Sequence, residues 1–216
     1  MTVADESLEG APAGRIVELT DVVDRVLTAP ATLGSSRLIC IDGPSGAGKT
    51  TLARQLRRVA RRASSLPVSA VHMDDLYDGW GGLVDAATIK VPDWLLTPLS
   101  QNRVGRYRRY DWRSNAYAEW HRVDPGGLVV LEGCGSAALP ADRFATLRLW
   151  IDTDPAVRLR RGLDRSGDEV LPYLQAWKRS EDAHFAADRT RERTDLLVLG
   201  APAIRFDPAT QVVVAR

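Results

Sequence analysis

The chain has 216 residues and a formal net charge of +1, from 29 Lys and Arg against 28 Asp and Glu. That length suits one domain with a substantial core, and so even a balance gives no general attraction to nucleic acid or membrane surfaces. Cys40 and Cys134 both sit in apolar runs and form neither a disulfide framework nor a metal-binding spacing. No basic-then-apolar leader opens the sequence, and no apolar run approaches the roughly 18 residues of a membrane span, so cytoplasmic residence is expected.

Residues Met1 to Gly14 are rich in Gly and Pro and read as a flexible lead-in; residues 15–216 then form a single domain. Ile16, Leu19, Val22, Val23, Val26 and Leu27 recur at helical spacing and predict an amphipathic helix from Ile16 to Leu27. An apolar strand, Arg37 to Asp42, leads into Gly43-Pro44-Ser45-Gly46-Ala47-Gly48-Lys49-Thr50. This stretch fits G-x-x-x-x-G-K-[ST] in its required setting between strand and helix. Glycines allow the backbone to wrap a polyphosphate, and the loop amides with the helix N-terminus aim positive dipoles at it. Gly43, Ser45, Gly46, Ala47, Gly48, Lys49, Thr50 and Thr51 are therefore the phosphate-cradling set. Lys49 offsets phosphate charge, and the Thr50 hydroxyl is a ligand for Mg²⁺. Among the 29 Lys and Arg, only Lys49, Lys90 and Lys178 are lysine. An otherwise arginine-rich chain keeps the compact point charge at the loop.

The helix from Lys49 to about Arg62 carries Arg54, Arg57, Arg58, Arg61 and Arg62 on its outer side, read as a solvated face. A strand over Pro67 to Met73 ends in Asp74-Asp75-Leu76-Tyr77-Asp78. In an open parallel sheet, ligands sit beyond the carboxyl ends of the strands, which brings these carboxylates beside the phosphates. Residues 79–126 are the least regular part and read as a substrate-pocket insertion. They hold Trp80, Trp94, Trp112 and Trp120, as well as Arg103, Arg106, Arg108, Arg109 and Arg113 interleaved with aromatics. The arginines fit a strand with one polar face, phosphate contacts on a small substrate, or a single-stranded nucleic-acid track.

Gly127 to Leu131 is an unbroken apolar strand, hence central and parallel. Glu132 at its end is placed to hold Mg²⁺ through water. A strand over Thr146 to Ile151 precedes Asp152-Thr153-Asp154-Pro155, which caps an arginine-rich helix broken at Ser166-Gly167-Asp168. Residues 156–170 read as a lid whose arginines close over the phosphates. A long helix from Glu169 to about Thr190 and strands over Thr194–Leu199 and Gln211–Ala215 complete a three-layer αβα arrangement around a doubly wound, mainly parallel five-stranded sheet.

With these motifs placed, residues Arg37 to Leu199 resemble the uridine kinase-like branch of P-loop kinases. Asp74-Asp75-Leu76-Tyr77 is similar to that family's D-S-F-Y at its first and last positions. Glu132-Gly133 matches its E-G, and Arg158, Leu159, Arg161 and Arg165 match its arginine helix. The resemblance implies ATP with Mg²⁺ as cofactors, with the metal at Thr50 and Glu132. It implies Asp74 as general base, Lys49, Arg161 and Arg165 as its catalytic partners, and Asp75, Tyr77 and Asp111 as substrate contacts. The family's F-D-H-P is echoed only by Tyr110-Asp111-Trp112, and the second lid arginine is Gly162. The expected partner is a small-molecule, nucleoside-like acceptor, with no membrane or nucleic acid needed and self-association left open. A nucleotide switch acting through a macromolecular partner is the alternative, although the N-K-x-D of GTPases and an apolar-D-E pair are both missing. A nucleic-acid 5′-end kinase is a third option.

Overall fold

The computed structural model describes residues 14–215. The expected lead-in lies outside them except for Gly14, which opens the first strand. The strands are β1 (Gly14–Glu18), β2 (Arg37–Asp42), β3 (Val68–His72), β4 (Gly105–Asp111), β5 (Ala116–Val123), β6 (Leu128–Glu132), β7 (Leu147–Asp152), β8 (Leu196–Leu199) and β9 (Gln211–Ala215). The helices are α1 (Leu19–Thr28), α2 (Lys49–Ala63), α3 (Leu83–Asp85), α4 (Thr97–Ser100), α5 (Leu139–Asp142), α6 (Pro155–Ser166) and α7 (Leu171–Asp188). A π-wound stretch, Ala86–Leu96, joins α3 to α4.

Seven strands form one sheet in the order β1-β9-β8-β7-β2-β6-β3. The sheet is thus wider than the expected five strands: β8, β7, β2, β6 and β3 run parallel, and β9 and β1 extend it by antiparallel pairing. Ile16 therefore belongs to a strand, paired with Val213, and the first helix begins at Leu19 rather than Ile16. Ladder hydrogen bonds to β9 override the helical spacing of a single apolar residue.

The central strand β2 shows why the sheet is covered on both sides. Leu38 and Cys40 belong to one buried cluster with the 83–99 helical stretch and Trp177; Ile39 and Ile41 belong to another with α1 and α2. Successive side chains point to opposite faces, so an apolar run without alternation must have a core on each. Each such buried Leu or Ile contributes about 1.5–3 kcal/mol from burial. The register lines up Ile41 with Glu132 and His72 with Glu132, so the carboxyl ends of β2, β6 and β3 finish at one edge of the sheet, where the loop of residues 43–48 emerges.

The 79–126 region is more regular than its sequence suggests. Its first half is the helical stretch just described, and its second is the antiparallel hairpin β4–β5, with a register shift between Arg108 and Tyr110. Three of the arginines there spend their donors on neighbouring protein groups. Arg108 donates to the carbonyls of Ala118 and Tyr117, Arg109 pairs with Glu119, and Arg103 bonds Gln101. Among the three lysines, Lys49 and Lys90 are buried; Lys90 bridges Asp78 at 3.0 Å and Asp85 at 2.8 Å beneath the turn that follows β3. Among the described residues, no helix is long and apolar enough to cross a membrane.

Candidate active site

The phosphate loop is built by two constraints on its backbone. Gly46 has φ +78°, and a Cβ there would lie 2.6 Å from the Arg158 carbonyl oxygen; Gly48 has φ +112° immediately before α2. Side-chain-bearing residues are rare in that region of φ, and at Gly46 the second barrier is steric. Beneath the loop, the fully buried Asp42 accepts hydrogen bonds from the amides of Gly43 (2.7 Å), Gly135 (3.0 Å) and Ala137 (2.8 Å), joining the loop to the segment after β6. Burial pushes the Asp42 carboxyl up to about 6, against the pull of those amides.

Lys49 is folded onto its own loop, donating to the carbonyls of Gly43 at 2.7 Å and Pro44 at 2.9 Å. Burial works against its charge, but the surrounding carboxylates of Asp42, Glu132 and Glu181 favour it, and its pKa is held above the ordinary lysine value. Thr50 at the start of α2 donates to Glu132 Oε1 at 2.9 Å, and His72 Nδ1 stands 2.6 Å from the same oxygen. Burial of the Cys134 thiol pushes its pKa far up, so it is a neutral wall rather than a nucleophile.

A cleft of about 480 Å³ opens above this floor. Ser45, Gly46, Gly48, Lys49, Thr50 and Thr51 line it from the loop and α2, with Glu132 from β6 and Asp74 from the turn after β3. Arg161, Arg165 and Ser166 line it from α6. Its other wall is apolar: Tyr77, Trp80, Trp112, Leu174 and Trp177. Gly43 and Ala47 shape the loop from outside that lining. A second cleft of about 350 Å³ shares Gly48, Thr51 and Arg161 with the first and is lined by Ile151, Val198, Leu199, Phe206 and Pro208. Arg161 stands between the two, donating to the carbonyls of Gly46 and Gly200, each at 3.1 Å.

The carboxylates singled out in sequence do not all converge. Asp74 and Asp75 lie on a short 3₁₀ turn, Met73–Asp75, rather than on a strand tip. Asp74 lines the cleft; Asp75 does not, and burial raises its pKa, opposed by His72, His121 and Arg109 and aided by the Asp74 charge. The protein crowding Asp74 and the nearby Glu132 charge hold its carboxyl above the ordinary range, while Lys49 and Arg165 pull the other way. Asp111 is not brought to the cleft. It accepts the Arg113 amide at 3.0 Å in the hairpin turn, and that bond lowers its pKa. Its neighbour Trp112 is in the cleft instead, with its indole N–H donating to the Asp74 carbonyl at 2.9 Å. The Tyr77 hydroxyl is committed to the Cys134 carbonyl at 2.7 Å, so Tyr77 offers its ring rather than its oxygen.

Sequence reasoning did not find Trp177 and Leu174 as cleft residues, because a helix 94 residues beyond the hydrophobic turn at Tyr77 gives no local signal of what it faces. Trp80 is the centre of that wall: its ring stacks on Tyr173 with centroids 5.6 Å apart and meets Trp112 and Trp177 edge-on at 5.3 and 6.1 Å. Trp94 and Trp120 pack against each other away from this site.

The phosphate loop at the tip of the middle strand, a carboxylate at the tip of its neighbour and the arginine helix over both define a P-loop nucleotide-binding protein with a parallel αβα core. A model of the AAA domain family matches residues 39–184, and the chain belongs to that family. It is 29% identical over 153 residues to a uridine kinase of Brevibacillus brevis, covering 63% of this chain and 69% of that one. In fold it is similar to a candidate uridine kinase from Bacillus stearothermophilus (TM-score 0.58, 20% identity, 83% of this chain and 96% of that one). It is also similar to a candidate fructose transport system kinase from Silicibacter sp. TM1040 (TM-score 0.54, 20% identity, 82% and 94%). The resemblance to uridine kinase-like P-loop kinases drawn from the motifs is met by these relatives.

Proposed function

We propose that the protein is an ATP-dependent phosphotransferase that moves the γ-phosphoryl group to a hydroxyl of a small, nucleoside-like molecule. The observation that carries this reading is that Asp74 shares one cleft with Lys49, Thr50, Glu132, Arg161 and Arg165. A hydrolase or switch needs the phosphate side of that set, but not a carboxylate backed against an aromatic wall large enough for a second substrate.

In this reading the triphosphate lies along the loop amides, and Lys49 leaves the Gly43 and Pro44 carbonyls to meet it. The base and ribose take the second cleft, beside Arg161 and Phe206. The acceptor lies against Trp80, Trp112 and Trp177 with its hydroxyl at Asp74. The acceptor O–H gives its proton to the Asp74 carboxylate; the oxygen bonds to the γ-phosphorus as the bond to the β,γ-bridging oxygen breaks and ADP leaves. An elevated Asp74 pKa suits it to take that proton. Arg161 and Arg165 offset charge on the transferring group, since this chemistry asks mainly for positioning and electrostatics.

The hydroxyl of Thr50 and the carboxylate of Glu132, 2.9 Å apart, are hard oxygen donors that fit Mg²⁺. Among the described residues there is no cluster of three or more His, Cys, Asp or Glu able to chelate a metal alone. That pattern suits an ion held by few protein groups together with substrate phosphates. When bound, it neutralises charge on the β- and γ-phosphates.

The test is ADP release from ATP across a panel of nucleosides, vitamins and sugars. Stimulation by an alcohol, with the phosphorylated product recovered, is the expected result. Phosphate release that is indifferent to every acceptor and responds to a protein partner would overturn the proposal in favour of a switch.

A further inference from the structure

Helix α7 buries one stripe, Trp177, Glu181 and His184, at spacings of four and three. The first of these is an aromatic that also lines the cleft and the last a buried imidazole, but the middle one is a carboxylate with only 1% of its surface exposed. An ionised group so placed is costly unless it is paired and hydrogen-bonded. Glu181 is: Oε2 accepts the Ser45 amide of the phosphate loop at 2.8 Å and the Cys134 thiol at 3.4 Å, while Oε1 faces Arg158 Nη1 at 3.4 Å. Arg158 also donates to the Thr153 carbonyl at 3.0 Å and lies on the helix that carries Arg161 and Arg165. Glu181 itself does not line the cleft.

We propose that Glu181 is a positioning residue for the nucleotide site. Its carboxylate fixes the crest of the phosphate loop through Ser45 and the arginine helix through Arg158, so that loop amides and arginines are presented to the phosphates as one preformed unit. Nothing in the loop motif or the arginine-helix motif supplies this link; it comes from a helix 136 residues further along the chain. The proposal rests on the phosphotransferase reading, because it assigns to Glu181 the geometry of a site that must hold a polyphosphate. Misplacement by about 1 Å in such a site can cost on the order of 10²-fold.

The experiment is calorimetric titration of ADP with Mg²⁺ into the full chain, wild type against Glu181→Gln, Arg158→Gln and the double variant, with a melting curve for each. Glu181→Gln keeps the shape and an acceptor oxygen while removing the charge. The expected result is an ADP affinity lower by about tenfold in either single variant, as for groups that support a binding shell from behind. The double variant should bind no worse than the weaker single. A lowered melting temperature with unchanged ADP affinity in Glu181→Gln would make the residue merely structural and overturn the proposal, as would strictly multiplicative losses in the double variant. Should both single variants fail to fold, amide hydrogen exchange in the wild type decides: protection of the Ser45 amide before nucleotide is added supports the latch, and rapid exchange rejects it. A wild type that binds no ADP would instead remove the phosphotransferase reading on which the latch rests.

Discussion

One side of the cleft is made from a single short stretch, Ser45 to Thr51 without Ala47, whose conformation is fixed by glycines and by a helix start. The other side is assembled from Tyr77 and Trp80, Trp112, and Leu174 with Trp177, three places far apart in the chain. Phosphate recognition needs backbone amides at fixed spacing, which a short motif can specify. Recognition of an acceptor needs a surface of particular shape, which any element that packs nearby can supply. The first side is therefore legible in this chain as a short motif, while the second is where the chain departs from the F-D-H-P of the family it resembles.

The sharpest way to separate the two sides is to damage each alone. Lys49→Ala should lower turnover on the order of 10³-fold, the upper range for losing one charge stabiliser, as read by acceptor-dependent ADP release. Beneath the same loop, Asp42 is buried with its pKa raised from 3.8 to about 6. Between those values the folded state binds more protons than the unfolded chain, so its contribution to stability is complete below about pH 4 and is lost as pH rises through 6. The loss amounts to up to about 3 kcal/mol. Denaturant midpoints followed over that range should fall more steeply in the wild type than in Asp42→Asn, and equal slopes would remove the assignment.

At the junction of the two sides, Asp74→Asn should cost about 10²-fold or more in turnover while leaving ATP affinity in place; full activity in that variant would rule out Asp74 as the base. On the acceptor side, Trp80→Ala and Trp112→Ala should each raise the acceptor KM by about tenfold, corresponding to roughly 1.4 kcal/mol of lost aromatic contact. ADP affinity should be untouched, and Trp112→Phe, which keeps a ring but drops the bond to the Asp74 carbonyl, should separate stacking from positioning. The smallest effect is expected at Asp111→Asn. Its carboxylate is exposed in the hairpin turn, and turnover should stay within about twofold, in line with ordinary surface substitutions.

Legibility in the sequence follows the same division. The parallel core was readable because β2 and β6 are apolar without alternation, and α6 because Asp154 accepts the Ala156 amide at 2.8 Å just ahead of Pro155. The helical stretch after Leu83 was not readable, since Pro92 falls inside it and π-winding over Ala86–Leu96 breaks the 3.6-residue period. Asp111 is implied only by the echo of F-D-H-P, and it is Trp112 beside it that reaches the cleft. The register shift between Arg108 and Tyr110 alters which residues of the hairpin face inward, and a slip of one residue exchanges the two faces of a strand. Asp74 and Asp75 look equivalent as letters; only the 3₁₀ turn that carries them places one on the cleft and leaves the other out of its lining, near the charges of His72, His121 and Arg109.

The indole of Trp112 sits at the end of a two-stranded arm and holds the backbone of Asp74. Any force that tilts this arm, whether from an arriving ring-bearing molecule or from a substitution near its root at Gly105 and Val123, is delivered to the peptide of Asp74, the carboxylate proposed as the proton acceptor. Under the proposed function this gears selectivity to rate, and variants selected for a new acceptor through the hairpin should alter the chemical step along with the fit.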